Sequence, residues 1–424
     1  MLQHAFNRYI DSFRGFSREI WILTLMTFIN RAGTMVLPFL SKYLKEDLHF
    51  SYSEISWILV CFGAGSMIGS WLGGKLSDKI GFYRIMIFSL FTSGIAFFIL
   101  QHITSFTGLC ISMFVIMVIA DMFRPAMFVS LGAYAKKENR TRALTLVRLA
   151  INLGFAAGPA MGGLIIMNIG YKGLFWVDGA TCILAILIFW LNVKEKKKSK
   201  FTDKEHPGEI LTHSVFKDKP FWIFLGCCTI TGILFFQLFT TIPLYHKEQF
   251  NLTEFQTGLL LMMNGLLIFF LEMPIVSYVE RKHLNKVRIV IYGALFMTIS
   301  LFLMLINTWA GILIIMMLFM TFGEMFAFPF SNSFAMSRAP KGHEGRYMAI
   351  FTMSYSLAHI TSAKMGLEII GYFNRKYEHI YGHNFGYEVN WAFMGFLGIV
   401  AIFLGIWVYN LTNKEPENHL GEAA

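Results

Sequence analysis

The sequence predicts an all-α membrane protein: twelve transmembrane helices in two pseudo-symmetric six-helix bundles. Three observations carry this. The first is composition. Of 424 residues, 55% are hydrophobic and 15% are charged, whereas soluble domains average roughly 45–50% and about 25%. The second is spacing. Apolar runs of about 20 residues, the length that crosses a bilayer, lie near 19–43, 53–76, 83–103, 106–133, 142–167 and 173–193, then near 221–245, 255–279, 287–307, 309–336, 346–371 and 389–412. The third is the charge on alternate loops, which differs sharply between the two sides.

Taken in order, residues 1–18 are polar and mixed, with Phe6, Tyr9, Ile10 and Phe13 at helical spacing. They read as an amphipathic cytoplasmic segment on the membrane surface or as an unstructured tail, and they lack the pattern of a cleavable signal peptide. Loops on the same side as this segment carry Lys75, Lys79 and Arg84, then Lys136, Lys137, Arg140 and Arg142, then KEKKKSK at 194–200, then Arg281, Lys282, Lys286 and Arg288, then Arg338, Lys341 and Arg346. Two opposite loops, QHITSF and NTWAG, carry no Lys or Arg. The positive-inside rule therefore places both termini in the cytoplasm, with a bacterial inner membrane as the expected location. Residues 194–220 form the one long hydrophilic break, with Pro207 and Pro220. They are the expected cytoplasmic linker between a first bundle at 19–193 and a second at 221–412, followed by a tail at 413–424.

The net charge of +10 follows from the same loop rule and calls for no nucleic-acid partner. Cys61, Cys110, Cys182, Cys227 and Cys228 all fall inside apolar runs, where cysteine acts as a small apolar residue. None has metal-ligand spacing, so neither metal nor cofactor is expected. The 44 Phe and 25 Met suit adaptable apolar walls.

The break between the second and third runs is WLGGKLSDKIGFYR, residues 71–84. Gly74 and Gly81 allow a tight turn and close helix packing, Asp78 offers a carboxylate to a helix N-terminus or a basic side chain, and Arg84 follows. A plain solvated turn is the alternative. The corresponding stretch in the second half, YVERKHLNKVR at 278–288, keeps Glu280 and Arg281 without the glycines. A second motif, GFAAGPAMGG at 154–163, sets Gly154, Gly158 and Gly162 four residues apart around the helix-bending Pro159. The first motif resembles the signature loop between helices 2 and 3 of the major facilitator superfamily of secondary transporters. The second resembles the G-x-x-x-G-P-x-x-G-G motif of its drug:proton antiporters. That resemblance implies two six-helix bundles around a central cavity, alternating access, and a midplane site for substrate and coupling ion. It also implies a conformational gating role for Gly74, Asp78, Gly81, Arg84, Gly154, Gly158, Pro159 and Gly162.

Charges at membrane depth are functional candidates by default. Arg31, Asp121 and Glu324 lie near the middle of their runs. Arg124, Arg148 and Glu272 lie towards the cytoplasmic side. Asp121 and Arg124 are three apart on one helical face, either as a proton-coupling pair or as a fixed ion pair. Glu324, with no basic neighbour in sequence, is the first choice of proton carrier, the alternative being an acid that stays neutral. Glu272 joins them as a candidate whose simpler reading is a packing acid. Arg148 is a substrate contact or a link between helices. Gln237 and Thr241, one turn apart, line the cavity or bond helix to helix; Asn264 reads the same way. His359 is a titrating group or a satisfied core histidine.

The fourth run lacks the R-x-x-x-G pattern that drug:proton antiporters carry. A second resemblance, to proton-coupled oligopeptide symporters of the same superfamily, rests on Arg31, Arg124 before Pro125, and Glu324; the acidic positions of their helix-1 motif are Thr27 and Asn30 here. It implies arginines facing a substrate carboxylate and Glu324 facing an amine. No nucleophile-elbow, metalloprotease or phosphate-loop motif occurs, so an enzyme is not expected. The expected function is proton-driven export of amphiphilic or drug-like small molecules by a monomer, with peptide or zwitterion symport as the alternative.

Overall fold

The structure is a computed structural model that describes residues 15–135, 140–196, 215–339, 344–382 and 384–414. Much of the N-terminal segment, the linker and the tail therefore lies outside the described residues. Among the described residues every regular element is helical, as lipid demands of a chain whose backbone must satisfy its own hydrogen bonds.

The first span is α1 (Arg18–Gly33) followed by α2 (Val36–Lys42) and a π-helical turn to Asp47. The second and third are α3 (Tyr52–Lys79) and α4 (Phe82–Leu100). The fourth divides into α5 (Phe106–Ala120) and α6 (Phe123–Tyr134), and the fifth and sixth are α7 (Arg140–Ile169) and α8 (Lys172–Asn192). The seventh divides into α9 (Lys219–Thr240) and α10 (Ile242–Phe250). The last five are α11 (Glu254–Arg281), α12 (Lys286–Leu303), α13 (Ile312–Arg338), α14 (Glu344–Tyr381) and α15 (Phe385–Thr412).

By length and apolarity eleven of these spans qualify for a bilayer crossing among the described residues. The eleventh in chain order, α14, falls short because His359, Lys364 and Glu368 dilute its 38 residues. Its packing settles its role. α14 pairs with α9 as α7 pairs with α1, α15 pairs with α12 as α8 pairs with α4, and α13 pairs with α12 as α5 pairs with α4. The same pairings in both halves are the pseudo-symmetry of the two bundles.

Three runs expected as unbroken helices are interrupted, and proline explains each. A proline ring collides with the carbonyl four residues earlier and offers that carbonyl no N–H. Pro38, Pro125 and Pro243 thereby strike the carbonyls of Thr34, Asp121 and Phe239, and the helices stop at Thr34, Asp121 and Thr241. The loose ends find partners. Asp178 accepts from the Val36 N–H at 3.1 Å, and Ser89 Oγ donates to the Ile119 and Ala120 carbonyls at 2.6 and 3.0 Å. Pro159, Pro274 and Pro329 lie inside α7, α11 and α13 without ending them.

The chain packs into two compact units. One comprises Met1–Leu37, Ala64–Phe201 and Glu254–Phe269; the other comprises Pro38–Gly63, Thr202–Thr253 and Phe270–Ala424. The first has a core built on Leu23, Met26, Met86, Phe123, Val147 and Phe189. The second has one built on Phe221, Phe224, Cys228, Val290, Ala294 and Ala401. Each unit includes a half-helix from the other half of the chain: the start of α11 in the first, the start of α3 in the second.

Candidate functional site

In the first unit, Arg31 of α1, Asp121 at the α5–α6 junction and Arg124 of α6 come together electrostatically. The sequence placed Asp121 and Arg124 on one continuous helical face; the Pro125 break separates them, and the carboxylate takes its hydrogen bond from Ser66 Oγ of α3 instead. Arg31 lies with its guanidinium 5.5 Å from the centre of the Phe155 ring, and its Nε is buried without a hydrogen-bond partner. Arg124 is exposed and Asp121 half-buried. A serine hydroxyl can donate to a carboxylate or accept from a carboxylic acid. The Ser66–Asp121 bond therefore survives gain or loss of a proton, which a salt bridge would resist.

Glycines of α3 set Asp121 in place. A Cβ on Gly65, Gly69 or Gly73 would come within 2.4 Å of the Phe114 carbonyl, 2.4 Å of the Val118 carbonyl or 2.5 Å of Met122 Cα. Close packing in the 71–84 motif is thus the work of Gly73; Gly74, the glycine singled out from the sequence, has open space around its Cβ position. Gly81 has φ +100° and starts α4, a turn that favours glycine. Arg84 pairs with Glu195 at 3.3 Å. The side chain of Asp78 lies outside the described residues.

The second motif packs on the first span. A Cβ on Gly154 would lie 2.6 Å from Arg31 Cβ, and one on Gly158 would lie 3.1 Å from the Ala32 carbonyl. Gly162 is buried. On the other side of α7, a Cβ on Gly258 of α11 would come within 2.3 Å of the Pro159 carbonyl. The motif therefore wedges the backbone carrying Arg31. Arg148 of α7 is half-buried and Asn264 of α11 is buried, both in this unit.

The second unit holds the remaining candidates. Glu324 on α13 and Glu272 on α11 are half-buried. Gln237 and Thr241 are brought together, fully buried. The Gln237 amide donates to Ser362 Oγ at 2.8 Å and accepts from Thr241 Oγ1 and from Asn390 at 3.4 Å. Its polar atoms join α9 to α14 and α15 and offer a cavity little. His359 is 8% exposed, its Nε2 lacks a hydrogen-bond partner, and Phe236 lies 4.5 Å from its ring.

Two features escaped the sequence reading. Ser66 looked like one more small residue in an apolar run. Asp218, at the end of the linker, caps α9 through the Phe221 N–H at 3.2 Å. It also accepts from Arg338 Nε and Nη2 at 3.0 Å each and from Tyr347 Oη at 3.0 Å. The signal for Asp218 was its place three residues before Phe221, followed by a proline in the first turn.

Comparison with known proteins gives a consistent result. The family described as Major Facilitator Superfamily matches residues 21–363. A Na(+), Li(+), K(+)/H(+) antiporter of Planococcus maritimus is 22% identical over 419 residues, covering 91% of this chain and 94% of its own. The quinolone resistance protein NorA of Staphylococcus aureus is 27% identical over 241 residues, covering 55% of this chain and 60% of its own. Among solved structures, the nucleoside transporter NupG aligns with a TM-score of 0.75 at 13% identity, over 92% of this chain and all of that one. The peptide transporter POT in complex with sulfate aligns with 0.75 at 15%, over 95% and 96%.

Proposed function

The chain belongs to the major facilitator superfamily, and from that premise we propose that it is a proton-coupled antiporter exporting amphiphilic or drug-like small molecules. As a superfamily member it is a multi-pass membrane transporter of small molecules, not an enzyme. The observation that carries the finer reading is Asp121, a half-buried carboxylate whose hydrogen-bond partner is a hydroxyl and whose neighbours are two guanidinium groups. The hydrogen bond to Ser66 can form in either protonation state of such a group. Glu324, half-buried on α13, is the first proton carrier in this reading, with Asp121 and Glu272 as further acids. The resemblance to a cation/proton antiporter supports exchange, and that to the quinolone resistance protein NorA supports a drug-like substrate. The bundles 19–193 and 221–412 are the rocking bodies, joined by 194–220, in a bacterial inner membrane with both termini cytoplasmic, acting as a monomer.

The test separates driven transport from exchange. Glu324→Gln, purified and placed in liposomes, loses uptake driven by an imposed pH gradient and keeps exchange of labelled for unlabelled substrate. Driven transport that survives the change would remove Glu324 from the mechanism. A second reading, symport of peptides or other zwitterions, draws on Arg31: a buried Nε without a partner suits a substrate carboxylate. The structural likeness to POT shows fold only and does not decide between the two.

A further inference from the structure

One face of α15 carries an apolar stripe that ends in a slot. Phe396, Ile399, Phe403, Trp407, Leu411 and Lys414 follow one another at intervals of three or four residues, so they share one side of the helix. Phe396, Phe403 and Trp407 are 60%, 66% and 54% exposed, and so bare an apolar stripe on a membrane-spanning helix faces acyl chains. At its last two turns the stripe meets the start of α9, which packs beside α15. There Trp407, Leu411 and Lys414 line a cavity of about 340 Å3 together with Lys219, Pro220 and Ile223, all within the second unit. Trp222, next to Ile223, donates its indole N–H to the Val215 carbonyl at 3.2 Å and stacks on Phe216 with ring centres 6.0 Å apart. Both of these rings are exposed. Exposed tryptophans gathered at one end of a bundle mark the level of the lipid headgroups.

We propose that this slot binds one anionic phospholipid, with its phosphate between Lys219 and Lys414 and an acyl chain along the α15 stripe. Charge is the first argument. The charged side chains lining the slot are both ammonium groups, and neither forms an ion pair among the described residues. The acid next to Lys219 in sequence, Asp218, is committed to Arg338, Tyr347 and the Phe221 N–H. Two ammonium groups with no carboxylate between them favour a headgroup of net negative charge over a zwitterionic one, whose own ammonium they repel. Length is the second argument. From Lys414 back to Phe403 the helix rises about 16 Å at 1.5 Å per residue, which is about half of a bilayer core and so the reach of one leaflet's acyl chain. Depth is the third. The aromatic rings lie at headgroup level, and lysines at that level rest their stems on apolar surface while the ammonium stays in the polar layer. The bound lipid joins the start of α9, where the linker arrives, to the end of α15, where the tail departs.

The site requires a membrane-embedded chain but neither antiport nor any particular substrate, so a failed proton-flux assay would leave it untouched. Delipidated protein in detergent is titrated with phosphatidylglycerol or with phosphatidylcholine, and bound lipid is counted by native mass spectrometry. A lysine beside an anionic lipid strengthens binding about fivefold. Lys219→Gln/Lys414→Gln, at two exposed positions, should therefore weaken phosphatidylglycerol about 25-fold and leave phosphatidylcholine unchanged. An unchanged affinity for phosphatidylglycerol would overturn the site. Displacement of the lipid by millimolar inorganic phosphate would also overturn it, because the slot would then hold a free anion. The tail at 415–424 contains Glu415, Glu417 and Glu422. Binding that arises only when those residues are deleted would give the two lysines to the tail and likewise overturn the proposal. A readout on the unmodified protein is independent of the variants. Phosphatidylglycerol with a diazirine in its acyl chain, carried in phosphatidylcholine nanodiscs, should label Ile223, Phe403, Trp407 and Leu411 in preference to other exposed apolar residues. Label spread evenly over the exposed apolar surface would overturn the site.

Discussion

Replacing Asp218 by asparagine isolates one charge in a well-defined setting. Asparagine keeps an oxygen for the Phe221 N–H, so the α9 cap survives, while the charge opposite Arg338 is lost. Removing one partner of a buried pair costs about 3–5 kcal/mol, and a hydrogen bond to a charged group contributes about 1.5–3 kcal/mol. The two side chains retain 11% and 15% exposure, which lets some water reach the Arg338 guanidinium, so the lower range applies: a loss of about 2–3 kcal/mol. Asp218→Ala loses the cap as well, about 1 kcal/mol more. The double change Asp218→Asn/Arg338→Gln removes both charges and should recover about 1–2 kcal/mol of the summed single losses, the range of coupling between contacting residues. Unfolding in mixed micelles of rising dodecyl sulfate content, followed by circular dichroism, reads the unmodified protein, the single variants Asp218→Asn, Asp218→Ala and Arg338→Gln, and the double variant. Single losses below about 0.5 kcal/mol, or strictly additive ones, would refute the view that this pair anchors the start of α9 to the end of α13.

Three further outcomes follow from the geometry. Gly69→Val places a side chain 2.4 Å from the Val118 carbonyl and Gly73→Ala one 2.5 Å from Met122 Cα; both should sharply lower the yield of folded protein by gel filtration, while Gly74→Ala, in open space, leaves it unchanged. His283 has φ +49°, where a β-branched side chain is strained, so His283→Val should destabilise by about 1–2 kcal/mol and His283→Gly should not. Glu324→Gln should separate gradient-driven transport from exchange in liposomes, and loss of both together would mean the residue holds the structure rather than the proton.

Much of this fold is written in period and punctuation. Twelve apolar runs, a charged break between 193 and 221 and one-sided loop charge suffice for the architecture because lipid leaves a chain few options. The helix breaks were also present, in Pro38, Pro125 and Pro243, but a run of apolar residues hides a proline whose consequence falls four residues earlier. The turn of the second half was disguised differently: each turn contains a residue at positive φ, Gly81 at +100° in the first half and His283 at +49° in the second, but only the first is a glycine that the sequence could show. The candidate site was only partly legible. Arg31, Asp121 and Arg124 stood out because charge is costly in lipid. That Asp121 would bond Ser66, fifty-five residues away in sequence, depends on three glycines bringing two backbones together, and no local pattern announces that partner. Gln237 was equally visible, yet whether an amide faces a cavity or a neighbouring helix is decided by residues such as Ser362 and Asn390 on other spans.

The most direct test of the central claim is the direction of proton movement. Purified protein in liposomes with an internal pH dye receives an imposed gradient of lipophilic cations, then of di- and tripeptides, then of sodium or potassium. The account predicts protons moving opposite to a lipophilic compound, and no such flux with Glu324→Gln. Protons moving together with a peptide would contradict it and make Arg31, Arg124 and Glu324 a clamp for a zwitterion. Exchange confined to sodium or potassium would equally contradict export of amphiphiles.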